Sequence, residues 1–205
     1  MRLGFARLGL GGLEIYNVPL FVRTHKNEYR ILGPLLTESL HTDILGINPL
    51  RSFVKHVTID YPRNRLSFST ESSYSPRPNA RAVKLKWINR LPYVTLSSGG
   101  VSWDALIDTG SSFGIEVSRD VASRLGILES SAPVAGAYHY GIGGSVDTGA
   151  ADIRQSLLPS LDGLGPTLAD VGVGIRPSLN LIGSWFLQHF RMTLDFSRGL
   201  LYLER

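Results

Sequence analysis

The chain has 205 residues, with 21 Lys+Arg against 17 Asp+Glu, a formal net charge of +4 and no cysteine. That length allows one domain or two small ones, and 43% hydrophobic with 19% charged residues is a globular composition, not a disordered one. Without cysteine there is no disulfide framework, thiolate zinc site, iron–sulfur cluster or cysteine nucleophile, and no run approaches the ~18 apolar residues of a membrane span.

From the N-terminus, Met1 to Arg7 lack the apolar stretch of a secretory signal, which leaves the compartment open. Gly9-Leu10-Gly11-Gly12 reads as a glycine-rich hairpin, since it completes neither phosphate-loop pattern. Residues 23–39 are an excursion without a counterpart elsewhere. Asp43-Ile-Leu-Gly46 then ends an apolar strand, a short helical turn presents Leu50 and Phe53, and 57–61 and 66–68 alternate as a strand hairpin.

Residues 71–80 hold two prolines among small polar residues and read as a linker between segments 1–70 and 81–205. No acid occurs between Glu71 and Asp104, while Arg77, Arg81, Lys84, Lys86 and Arg90 crowd together. Val83, Leu85 and Trp87 alternate with those lysines, so this is a half-exposed strand, and no nucleic-acid motif adjoins it. Further strands are expected over 83–88, 91–97, 101–107, 113–117, 134–140, 145–153, 168–175 and 179–182. A helix is expected over 118–126, capped by Ser118, striped by Val121, Ala122 and Leu125, and stopped at Gly126. The class is mostly β with short helices.

The two ends of the chain repeat each other. Gly46, Leu50 and Phe53 match Gly183, Leu187 and Phe190 at an offset of 137; Asp60, Tyr61, Leu66 and Phe68 match Asp195, Phe196, Leu201 and Leu203 at 135. Asn17-Val-Pro-Leu20 pairs more weakly with Asp170-Val-Gly-Val173 at 153.

One constellation carries chemistry. Ala105-Leu-Ile-Asp108-Thr109-Gly110-Ser111-Ser112 sets a carboxylate at the end of an apolar strand, where it is partly desolvated. Gly110 lets backbone N–H groups approach it, and Thr109 and Ser111 offer hydroxyls to orient it. A plain strand-end turn would use the same residue types.

With the helix at 118–126, the hairpin Tyr140-Gly141-Ile142-Gly143-Gly144 and the strand Leu181-Ile182-Gly183, this segment resembles a lobe of the aspartic proteases. The likeness is to the pepsin and retropepsin superfamily, and within it to the bacterial retropepsin-like branch. The resemblance spans 81–205 and implies a closed-barrel lobe of acid-protease type, with a partial second copy of it in 1–70. It implies Asp108 as the catalytic carboxylate, with Thr109, Gly110, Ser111, Leu181, Ile182 and Gly183 setting its geometry and residues 140–144 as a flap. It implies peptide or protein substrates, water as nucleophile, and neither metal nor organic cofactor. Such chemistry needs two facing aspartates sharing a proton.

Segment 1–70 has no Asp-Thr-Gly; its aspartates, Asp43 and Asp60, align with Asn180 and Asp195. The offsets put a counterpart of Asp108 about 30–45 residues before Met1. Three arrangements follow: a bilobal protease whose first lobe starts upstream, a homodimer pairing two copies of 81–205, or a non-catalytic peptide-binding relative. Gly110-Ser-Ser112-Phe-Gly114 also fits a nucleophile elbow for a serine hydrolase, but Ile115-Glu-Val117 follows it as a strand where that elbow needs a helix. His25, His41, His56, His139 and His189 show no metal-ligand spacing.

Overall fold

The computed structural model describes residues 2–10, 12–22, 27–30, 37–40, 47–134, 140–141, 144–145 and 153–205. They form two compact units, Met1–Phe53 and Val54–Arg205. In the first, β1 (Arg2–Leu10) and β2 (Leu13–Val22) pair antiparallel, with Leu10 opposite Leu13. The excursion contributes a second hairpin, β3 (Asn27–Arg30) with β4 (Thr37–Leu40), and α1 (Ile47–Leu50) is the helical turn expected there. Asp43 and Gly46 lie outside the described residues, as do His25 and His41.

The second unit is built on two sheets. Its five-stranded sheet uses β5 (His56–Asp60), β6 (Arg65–Ser69), β7 (Arg81–Lys84), β18 (Arg191–Asp195) and β19 (Leu200–Glu204), in the order β6-β5-β18-β19-β7. A 3-10 turn over Tyr61–Arg63 joins β5 to β6. The repeat read from the sequence has a geometric meaning here. β5 and β18 pair antiparallel with Thr58 opposite Thr193, so the two copies meet on a local dyad. The threonine hydroxyls bond across it at 2.8 Å, both buried. On either side the partners repeat, His56 with Asp195 at 3.8 Å and Arg191 with Asp60 at 3.7 Å.

This pairing moves the boundary from where composition put it. Residues 54–70 belong with the second unit because β5 spends its hydrogen bonds on β18. The proline segment 71–80 is not a free linker either. Tyr74 Oη (2.8 Å) and the Arg77 N–H (3.1 Å) bond the buried Glu204, Arg198 bonds the Tyr74 carbonyl at 3.1 Å, and the Tyr74 ring packs tilted against Tyr202 at 5.1 Å. Prolines specified an extended strap, and polar side chains fastened it.

The larger sheet uses β8 (Lys86–Ile88), β9 (Leu91–Ser98), β10 (Val101–Asp108), β11 (Ile115–Ser118), β12 (Ala132–Pro133), β15 (Arg154–Leu161), β16 (Leu168–Arg176) and β17 (Leu181–Gly183). Their order is β12-β15-β16-β11-β17-β10-β9-β8. The chain changes sheets at buried Leu85, between β7 and β8, with Lys84 and Lys86 outward and Lys86 on Asp104 at 2.7 Å. Among the described residues the sheet does not close as a ladder. It curls until Ser97 and Asp162 exchange backbone bonds of 3.2 and 2.9 Å, stitching β9 to the end of β15. Gly163 is required at that seam: its φ is +106° and a Cβ would lie 2.2 Å from the Thr95 carbonyl. Val94, Leu96, Ala105, Val117, Leu158, Ile175 and Ile182 fill the core.

α2 (Arg119–Arg124) is the expected helix, with the Val121 N–H on Ser118 Oγ at 3.2 Å and Gly126 at φ +69° ending it. α3 (Ser184–Leu187) is the repeat of α1. Residues 146–152 of the strand expected over 145–153 lie outside the described residues; the regular strand that follows, 154–161, was concealed by its polar residues and Pro159. Residues 135–139, which end the strand expected at 134–140, lie outside the described set, as does His139. The fold is mostly β with few helices, as composition and alternation indicated.

Candidate active site

β10 alternates strictly, turning Trp103, Ala105 and Ile107 into the core and Asp104, Leu106 and Asp108 to the other face. Asp108 ends the strand. The Gly110 N–H donates to its Oδ1 at 3.0 Å and the Ser111 N–H to its carbonyl at 3.2 Å, a side-chain-closed turn. A Cβ at Gly110 would stand 3.3 Å from Oδ1, so a larger residue crowds the carboxylate. The hydroxyls act differently from the expectation. Ser111 Oγ accepts from the Phe113 N–H at 3.4 Å, and among the described residues no bond joins Ser111 or Thr109 to the Asp108 side chain.

The defining feature is how β17 enters. It lies between β10 and β11, parallel to the first with Gly183 opposite Asp108, antiparallel to the second with Ile182 opposite Ile115. The connection 109–114 must therefore loop over the end of β17, and it is fastened there. Gly183 N–H donates to the Gly114 carbonyl (2.7 Å), Ser184 N–H and Oγ both donate to the Ser111 carbonyl (2.7 Å each), and Trp185 N–H donates to the Phe113 carbonyl (3.1 Å). Leu181 and Ile182 are buried and anchor β17 in the sheet. The structure thus brings Asp108, Thr109, Gly110, Ser111, Leu181, Ile182 and Gly183 into one crossing.

Of the expected glycine hairpin, β13 (Tyr140–Gly141) pairs antiparallel with β14 (Gly144–Ser145). Ile142 and Gly143 lie outside the described residues. Ser112 is exposed, and the chain after it runs into β11 with no helix, so the strand–turn–helix of a nucleophile elbow is not formed.

Two titratable neighbours escaped the sequence reading. Burial pushes the Tyr61 phenol pKa up, and the Asp108 charge adds to that, so this hydroxyl stays protonated in the field of the carboxylate. Glu116, on β11, is 1% exposed. Burial raises its pKa; bonding to Arg176 and the Arg176 charge oppose that, and the Asp108 charge adds to the rise. Only one signal in the sequence marked it, a charged residue between Ile115 and Val117 in an apolar strand. Beside α3, a groove of about 200 Å³ is lined by residues including Trp185, Phe186 and His189. Among the described residues, no cluster of three His, Asp or Glu is arranged to hold a metal.

No family model matches this chain, and neither does any curated protein. Among solved structures it is similar to a retropepsin-like aspartic protease from Rickettsia conorii, at 18% identity and a TM-score of 0.42. That match covers 64% of this chain and 94% of the other.

Proposed function

We propose that the chain is an aspartic-type endopeptidase in which Asp108 is one of two carboxylates that activate a water against a peptide bond. The observation that carries this reading is the crossing itself. An Asp-Thr-Gly turn ends one strand, and an apolar-apolar-Gly strand runs in beside it, Gly183 opposite Asp108. This is the arrangement that the aspartic-protease resemblance of residues 81–205 implies. Among the described residues the carboxylate is held by an N–H and not by a cation, which leaves an oxygen for water. One carboxylate of the pair takes the water's proton while the other, protonated, polarises the carbonyl. The glycine hairpin at 140–144 would cover the peptide and exclude solvent.

Among the described residues no second Asp-Thr-Gly faces Asp108, so the pair needs another segment or a second copy of the chain. A two-fold arrangement is supported by the local dyad at Thr58 and Thr193, where two like strands of this sequence pair with each other. Mixing wild-type protein with Asp108→Asn separates the two sources. If two copies share the site, activity falls as the square of the wild-type fraction; if one chain holds both carboxylates, it falls linearly. Intact activity in pure Asp108→Asn protein removes Asp108 from the mechanism. A chain that binds peptides without turnover between pH 3 and 7 is a binding relative instead.

A further inference from the structure

The row Leu106, Leu181, Glu116 and Gly174 runs across four neighbouring strands in register, so all four residues face the side on which Asp108 stands. A carboxylate is unexpected in that row. Room for it is made by Gly174, where a Cβ would come within 3.3 Å of both Glu116 Cγ and Oε1. Glu116 Oε1 accepts from Arg176 Nε, while Oε2 is buried with no hydrogen-bond partner among the described residues. A buried pair with one oxygen unsatisfied is a weak source of stability, because desolvation offsets most of its attraction. Its effect lies in where it holds the guanidinium, which is 4.7 Å from the centre of the Phe113 ring.

Phe113 is a half-buried residue of the loop that joins Asp108 to β11. Its carbonyl accepts the Trp185 N–H, and its N–H is held by Ser111 Oγ. Resting on the peptidase reading above, we infer that Glu116 is a positioning residue for Asp108, acting through Arg176 and the Phe113 ring to hold the 109–114 loop over β17. Glu116 touches neither the water nor the peptide in this account. It keeps Arg176 over the ring, and the ring keeps the turn that aims the carboxylate.

The test uses Glu116→Gln, which keeps shape but loses charge, Phe113→Leu, which removes the ring, and the double variant. On a peptide that the wild type cleaves, each single change is expected to lower kcat about tenfold with KM within twofold, and the double to lower it no further, because both cut one relay. Unchanged kcat in either single variant, or a rise in KM at constant kcat, overturns the inference. A second readout needs no turnover: 19F NMR of protein labelled with 5-fluorotryptophan, whose three residues are Trp87, Trp103 and Trp185. The Trp185 indole lies against Gly114, 3.6 Å from where its Cβ would be, so its resonance should shift in both variants while those of Trp87 and Trp103 stay. An unmoved Trp185 line refutes the relay. Absent turnover by the wild type with a moved Trp185 line refutes the peptidase reading alone.

Discussion

Replacing Gly183 by alanine adds one methyl group where two stretches of backbone meet closely. The backbone there is extended, φ −96° and ψ 179°, so alanine meets no conformational penalty and the effect is purely steric. The added Cβ would lie 2.2 Å from the Phe113 carbonyl oxygen and 2.9 Å from that of Ser111. Both are backbone atoms, and both belong to carbonyls that accept hydrogen bonds from the start of α3. Relief requires the 109–114 loop to lift off β17, loosening the bonds made by Gly183, Ser184 and Trp185. Overpacking costs about 1–3 kcal/mol, and an immovable neighbour puts this site at the upper end. In a unit of about 150 residues, 3 kcal/mol lowers Tm by roughly 6–12 °C. Thermal melts and urea titrations read this directly, with Gly172→Ala as the control, since a Cβ there meets nothing within 4 Å. A Gly183→Ala variant within 0.5 kcal/mol of wild type by the same titration would refute the crossing as the tight element described.

Three further outcomes are expected. Thr58→Val or Thr193→Val alone strands a buried hydroxyl and should destabilise by about 1–3 kcal/mol. The double variant should be much closer to wild type than the two costs added, giving a coupling of more than about 1 kcal/mol in a double-mutant cycle. Gly174→Ala should destabilise by about 1 kcal/mol through its contact with Glu116, and the penalty should vanish in a Glu116→Ala background, measured by urea unfolding. Burial pushes the Glu204 pKa up, but bonds from Tyr74, the Arg77 N–H and Arg191 outweigh it and hold it below the usual value of 4.5. A carboxyl lowered in the folded state adds stability above its unfolded pKa, and that stability is lost as pH falls through the folded value. Urea midpoints should therefore drop below about pH 4.5 less steeply in Glu204→Gln than in wild type.

How legible this was depended on what each residue signals alone. The helix at 118–126 and the two short turns carry their own marks: a Ser cap, an apolar stripe, a stopping glycine. The repeat foretold two like hairpins, though not that they would pair with each other through Thr58 and Thr193. Nothing local in a threonine says which strand it will face. Composition misplaced the boundary at 71–80 for the same reason: Tyr74 and Arg77 look like linker residues until Glu204, more than 120 positions away, is folded beside them. Pro159 and its polar neighbours concealed β15. At the site, the strand ending at Asp108 was readable from its apolar pattern, with Gly183 set beside it by the family resemblance. Glu116 was not, because alternation alone predicts a solvent-facing carboxylate, and the lid on it is Arg176, sixty residues downstream.

The rate of peptide hydrolysis by wild-type protein and by Asp108→Asn, measured from pH 3 to 7, tests the central claim most directly. The account predicts hydrolysis by the wild type and a loss on the order of 10²–10⁴ in the variant, with the fold intact by circular dichroism. Equal rates in the two proteins would contradict it.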